Sequence, residues 1–146
     1  MTSSSEHIPT RRPLAYATAI IGGDNIGSEY WNAYFGVSPT TIVEKGKPFV
    51  TPSGRRSTSL GWTNIWSYST KHIISADSLT PHLAYLIATL NLPRPDLKVL
   101  IEANNLKCLF SCYWMDSTPD RVPTVDGNLA DIINKSGGVV YVDEYS

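Results

Sequence analysis

Residues Gly22 to Gly46 read GGDNIGSEYWNAYFGVSPTTIVEKG, and the fold turns on this stretch. It parses as the end of a strand, a helix of about two and a half turns closed by Gly36, a turn at Ser38 and Pro39, and the start of a second strand. Ile26, Tyr30, Tyr34 and Val37 recur at spacings of four, four and three, which predicts one inward helix face. Ser28, Glu29 and Asn32 are left for water.

Upstream, the run LAYATAII from Leu14 to Ile21 is nearly all apolar or small, as expected of a central strand buried on both faces. Residues 1–13, MTSSSEHIPTRRP, are polar and end in an Arg pair and a proline, the pattern of a flexible tail ahead of a single domain over residues 14–146. Downstream, Thr41 to Phe49 alternates as a strand and VTPSGRR from Val50 to Arg56 carries the Pro, Ser and Gly of an exposed loop. From Leu60 to Thr70, Leu60, Trp62, Asn64, Trp66 and Tyr68 fall on one side of a strand and small residues on the other. That aromatic face is expected to fill the space between sheet and helices; the alternative is a platform on which a planar ligand or nucleobase stacks.

Asp77 and Ser78 precede an amphipathic helix marked by Leu79, Leu83, Leu86, Ile87 and Leu90, whose Pro81 is tolerated in the first turn. Arg94-Pro95-Asp96 opens a second helix with Leu97, Leu100 and Ile101 inward and Asn104-Asn105 as its stop. Leu106 to Met115 returns as a strand. A loop to Gly127, a short helix from Asn128 to Lys135 and the strand VVYVDEY complete the chain. The order strand, helix, strand, strand, helix, helix, strand, helix, strand predicts an α+β fold of ferredoxin-like arrangement, with helices packed on one face of a mainly antiparallel sheet.

The framework also carries Gly23-Asp24, Gly36-Val37-Ser38-Pro39-Thr40, Lys45-Gly46, Gly54-Arg55-Arg56 and Ile65-Trp66-Ser67. In order and rough spacing these residues resemble the bacterial domain-of-unknown-function 4279 family, most closely up to Thr70 and more loosely to Tyr145. Gly27 and Ser28 stand where that family usually has an acidic residue and a proline, which implies a weaker helix start. The resemblance implies a framework and no particular activity.

The chain has 146 residues, 42% of them hydrophobic, enough to bury a core without metals or disulfides. Its formal net charge of -1 is unevenly spread: seven Lys or Arg against four acids up to Ser75, and five against nine from Ala76 onward. Without a long apolar run or an apolar signal core, the expectation is a cytosolic protein with no membrane contact. Cys108 and Cys112, four apart on one strand face and so roughly 13 Å from each other, are beyond disulfide reach and read as buried thiols.

Chemistry-bearing motifs are sparse. GGDNIG lacks both the P-loop lysine and the dinucleotide spacing. His72 and His82, ten apart, open no metal motif and are expected on a strand edge and on the polar side of a helix. We therefore expect no cofactor, no metal and no catalysis. The leading expectation is a non-catalytic protein-binding domain, an immunity-type inhibitor that neutralises a bacterial toxin, with Asp116, Asp120, Asp126, Asp131, Asp143 and Glu144 as candidate contacts to a cationic partner. The alternative is a nucleic-acid or anionic-ligand module using Lys45, Lys47, Arg55 and Arg56. An enzyme ranks third.

Overall fold

The computed structural model describes residues 12–51 and 53–146; the tail expected over residues 1–13 lies, up to residue 11, outside the described residues. Among the described residues, seven strands and four helices follow one another as β1 (Ala15–Gly23), α1 (Tyr30–Phe35), β2 (Thr41–Val43), β3 (Pro48–Val50), β4 (Arg56–Leu60), β5 (Asn64–Ser69), α2 (Leu79–Thr89), α3 (Pro95–Ala103), β6 (Lys107–Met115), α4 (Gly127–Lys135) and β7 (Val139–Tyr145). Five strands form one sheet in the order β2-β5-β1-β6-β7, while β3 and β4 make a separate two-stranded hairpin. β1 lies antiparallel between β5 and β6, and β2 lies antiparallel on β5. These four strands have the expected ferredoxin-like order. β7 is then added parallel to β6 through α4, which makes the sheet mixed.

Alternation along β1 and β6 shows where the core sits. Ala15, Ala17, Ala19 and Ile21 are buried, as are Cys108, Phe110, Cys112 and Trp114 opposite them, and they share one contiguous cluster with residues of all four helices. Their neighbours Tyr16, Thr18 and Ile20 are only half-buried. The central strand is thus covered by helices on one face and not on both: Ala15, Ala17 and Ala19 let the helices approach on that face, while Tyr16, Thr18 and Ile20 on the other stay half-buried. No described helix is long and apolar enough to cross a membrane.

The helix of the Gly22 to Gly46 stretch is shorter and differently phased than its spacing predicts. A turn at Gly27 delays its start to Tyr30, and Ser28, expected in water, is 1% exposed and donates from Oγ to the Val43 carbonyl at 2.6 Å. Trp31 and Phe35 become the inward pair, and Tyr30 is left 47% exposed. Gly36 closes the helix at φ 70°, a left-handed conformation that costs glycine little. Arg94 clamps this helix to its neighbours: Nη1 donates to the Tyr34 carbonyl at 3.0 Å, Nε to the Leu90 carbonyl at 3.0 Å, and the guanidinium covers the Tyr34 ring.

Two further expectations are corrected. His82 is not on the polar side of α2 but wholly buried in the stripe Leu79, His82, Leu83 and Leu86. Its ring is satisfied there: Nε2 donates to the Ala76 carbonyl at 2.8 Å, and Nδ1 pairs with the Thr70 hydroxyl at 2.6 Å. The strand expected from Leu60 to Thr70 breaks at Gly61, so only the part from Asn64 onward joins the sheet. Trp66 fills the core at 0% exposure, stacked on Phe35 at 5.2 Å with Nε1 donating to Asn32 at 3.0 Å. Leu60 and Trp62 do not follow it inward.

Candidate partner-binding site

The segment from Glu44 to Asn64 leaves the sheet and returns to it at a single pinch. Gly46 donates to the Gly61 carbonyl and Gly61 to the Lys47 carbonyl, both at 2.9 Å, and Lys45 bridges to Gly61. A side chain at Gly61 would put its Cβ 2.6 Å from the Glu44 carbonyl oxygen, so only glycine allows the two backbones to cross so closely. Asp24 and Asn64 secure the base. Asp24 accepts from Thr63 and from Lys45 Nζ, the latter at 2.9 Å, and these bonds hold its carboxyl below the usual range. Asn64 accepts from the Lys45 backbone at 2.9 Å and donates to the Ile26 carbonyl at 3.2 Å.

Beyond the pinch the β3–β4 hairpin projects. Thr51 and Arg55 close its tip through a 2.7 Å backbone bond, so the predicted VTPSGRR loop is the hairpin turn, and Arg56 already belongs to β4. Strand β4 ends at the pinch and the chain bends before β5 begins, and there Trp62 is 90% exposed; Leu60 is 54% and Val50 61% exposed. Val43, Phe49, Leu60, Trp62 and Ile65 line a groove of about 320 Å³ between the hairpin and the sheet. An exposed indole beside an apolar groove is the usual composition of a contact anchor, because a large rigid side chain loses little entropy on binding.

The four cationic candidates separate into two kinds. Lys45 is paired with Asp24 at 2.9 Å and Lys47 with Glu44 at 3.0 Å. Arg55 and Arg56 are exposed, and among the described residues neither has an ion-pair partner. The free positive charge of the segment therefore sits at the hairpin tip and at the start of β4, where Arg56 lies across from the exposed Val50.

The acidic candidates gather toward another end of the molecule, where β6 and β7 finish side by side, but several are already employed. Asp126 caps α4, accepting from the Asn128 and Leu129 amides at 2.8 and 3.3 Å. Asp131 pairs with Lys135 at 3.2 Å, and Asp143 accepts from the Tyr145 hydroxyl at 2.6 Å. Asp116 is anchored through its backbone amide to the Tyr145 carbonyl at 2.7 Å, and its Oδ1 is buried without a hydrogen-bond partner. Asp120 and Glu144 are exposed.

Cys108 and Cys112 are both buried, and burial pushes their thiols up to about 12 and about 11. Among the described residues no group of three His, Cys, Asp or Glu side chains is placed to hold a metal ion. Trp62 is the residue that sequence periodicity misassigned, and the signal for it was the glycine before it: a glycine inside a strand pattern marks a bend or a close backbone approach. No family model, no curated protein and no solved structure matches this chain.

Proposed function

We propose that the chain is a protein-binding domain that grips its partner with the β3–β4 hairpin. The observation that carries this reading is Trp62, which is 90% exposed next to an apolar groove and is held out by a backbone pinch that only Gly61 permits. Arg55 and Arg56 add charge toward the hairpin tip, so the partner surface is apolar where it meets Trp62 and acidic where it meets the tip. The specific form we propose is an immunity-type inhibitor acting in the cytoplasm on a bacterial toxin. A single domain with one contiguous core and one projecting aromatic anchor is suited to occluding a partner's surface.

Co-purification from the native host tests this reading. The partner should be a protein whose expression arrests growth unless this chain is present, and its affinity should fall about thirtyfold or more on Trp62→Ala. A partner held equally by wild type and Trp62→Ala would move the interface off the hairpin. A partner without toxicity would remove the inhibitor reading and leave the binding module.

A second reading, single-stranded nucleic acid, is supported by two unpaired cations at one end of β4 and an exposed indole just past the other, since bases stack on aromatic faces while cations track the phosphates along an extended strand.

A further inference from the structure

A cavity of about 680 Å³ lies at the opposite end of β5 from Trp62, between the entry to β1 and the segment that joins β5 to α2. One strand of six residues, about 20 Å, separates it from the hairpin, so it is a separate site. Its apolar lining includes Leu14, Ile73 and Ile74, and Ile73 is 49% exposed. The cationic side chains of the lining are Arg12 and Lys71, with His72 beside them. Lys71 Nζ is 5.4 Å from the centre of the Tyr16 ring, which places a positive charge at the edge of the half-buried sheet face. Asp77, the acid in the lining, is already engaged.

The cavity walls are fixed in advance. Arg121 donates from Nη2 to the Leu14 carbonyl at 2.8 Å and from Nη1 to the Asp77 carbonyl at 2.7 Å, tying one wall to the other. His82 holds the Ala76 carbonyl from inside the core, and Ile73 and Ile74 both donate their amides to Thr70. A volume in the range of small-molecule sites, a mainly apolar wall, cations in the lining and walls tied by hydrogen bonds are what an open ligand-binding cleft requires.

We propose that this cavity binds an amphipathic monoanion, a carboxylate with an aliphatic or aromatic body. The body lies against Leu14, Ile73 and Ile74. The carboxylate is met by Arg12 and Lys71, whose charge-assisted bonds give the pocket its preference for an anion over a neutral molecule of the same shape. Two cations and an open rim fit one carboxylate better than a polyphosphate, which requires a denser set of donors than the lining offers.

Decanoate is a direct probe, with decanol as its uncharged counterpart. In the full chain, decanoate should shift the backbone amide resonances of Ile73, Ile74 and Lys71 while leaving those of Leu60 and Trp62 in place. The double variant Arg12→Glu, Lys71→Glu should lose about tenfold or more in decanoate affinity and keep its melting temperature, because both side chains are exposed. Ile73→Asp, at a half-exposed position, should weaken decanoate and decanol alike. Decanoate shifts that are absent or fall elsewhere would overturn the proposal. So would equal decanoate affinity in the charge-reversed variant, or decanol binding as tight as decanoate in wild type.

Discussion

The guanidinium of Arg121 lies 3.8 Å from the centre of the Trp114 ring, near enough for the cation to sit on the ring face. From there its three nitrogens reach three separate segments: Nε the Met115 carbonyl at 2.9 Å, Nη1 that of Asp77 and Nη2 that of Leu14. The loop after β6 is thereby fastened to the start of β1 and the approach to α2. Arg121→Ala removes these bonds and the ring contact together and should cost about 2 to 4 kcal/mol in urea unfolding. Arg121→Lys should recover little of it, since an ammonium cannot reproduce a planar fork.

Trp62 and Trp66, four residues apart, should respond oppositely to truncation. Trp66→Ala empties a core position stacked on Phe35 and leaves the Asn32 amide without its partner, for an expected loss of about 3 to 5 kcal/mol. Trp62→Ala should stay within about 0.5 kcal/mol of wild type. Thermal melts of the two variants decide the point; a large loss at Trp62 would mean that its indole is packed.

Stability should fall in alkali. The Tyr34 phenol is pushed up to about 12 from its ordinary 10.0, by burial first and by donation to the Asp96 carboxylate second, and Tyr68 is pushed up to about 12 by burial and then by Tyr85. In both, the folded state favours the protonated form. Their contribution is fully present below about pH 10 and is lost as pH rises through about 12, because the unfolded chain ionises first. Urea midpoints should therefore drop across this window, and Tyr34→Phe should flatten the drop. An unchanged slope in that variant would exclude Tyr34 as its source.

At the hairpin, charge and aromatic ring should separate kinetically. Arg55→Glu, Arg56→Glu should slow association with the partner, most at low salt, while Trp62→Ala should speed dissociation. For the nucleic-acid reading the measurement is retention on RNA at rising salt, which counterion release makes steep. Equal retention of wild type and the charge-reversed variant would remove that reading.

The Asp126 carboxylate caps α4 and is not spare charge. Asp126→Ala should cost about 1 kcal/mol, whereas the exposed Asp120→Lys should leave stability nearly unchanged. If Asp126 also proved dispensable for folding, its carboxylate, like that of Asp120, would be available to a partner.

Features encoded locally were legible in the sequence. Gly36 after an aromatic helix, Pro95 at a helix start, the Asn104-Asn105 stop and the period-two pattern of Leu106 to Met115 all act within a few residues of themselves, and each appears where the pattern places it. What escaped depends on distant partners. His82 is buried because Thr70 and Ala76 satisfy both of its nitrogens, and Trp62 is exposed because the Glu44 backbone passes against Gly61. Nothing in the sequence singles out Arg121, whose acceptor Leu14 lies at the other end of the chain. The basic turn of the candidate site was visible in its Gly and Arg residues; its aromatic anchor was hidden by an alternation that continues across the break.

The two thiols also give the protein an internal clock. Cys108 lies opposite Ile21 and Cys112 opposite Ala17, at two levels of the same pair of central strands. With both thiols buried and their ionisation pushed well above neutrality, a disulfide reagent reacts only with molecules in which that level of the sheet has opened. Labelling rates of the single-cysteine variants therefore read the breathing of the sheet centre at two heights, without an added probe. The difference between the two rates tells whether β1 peels from β6 from its entry or from its exit.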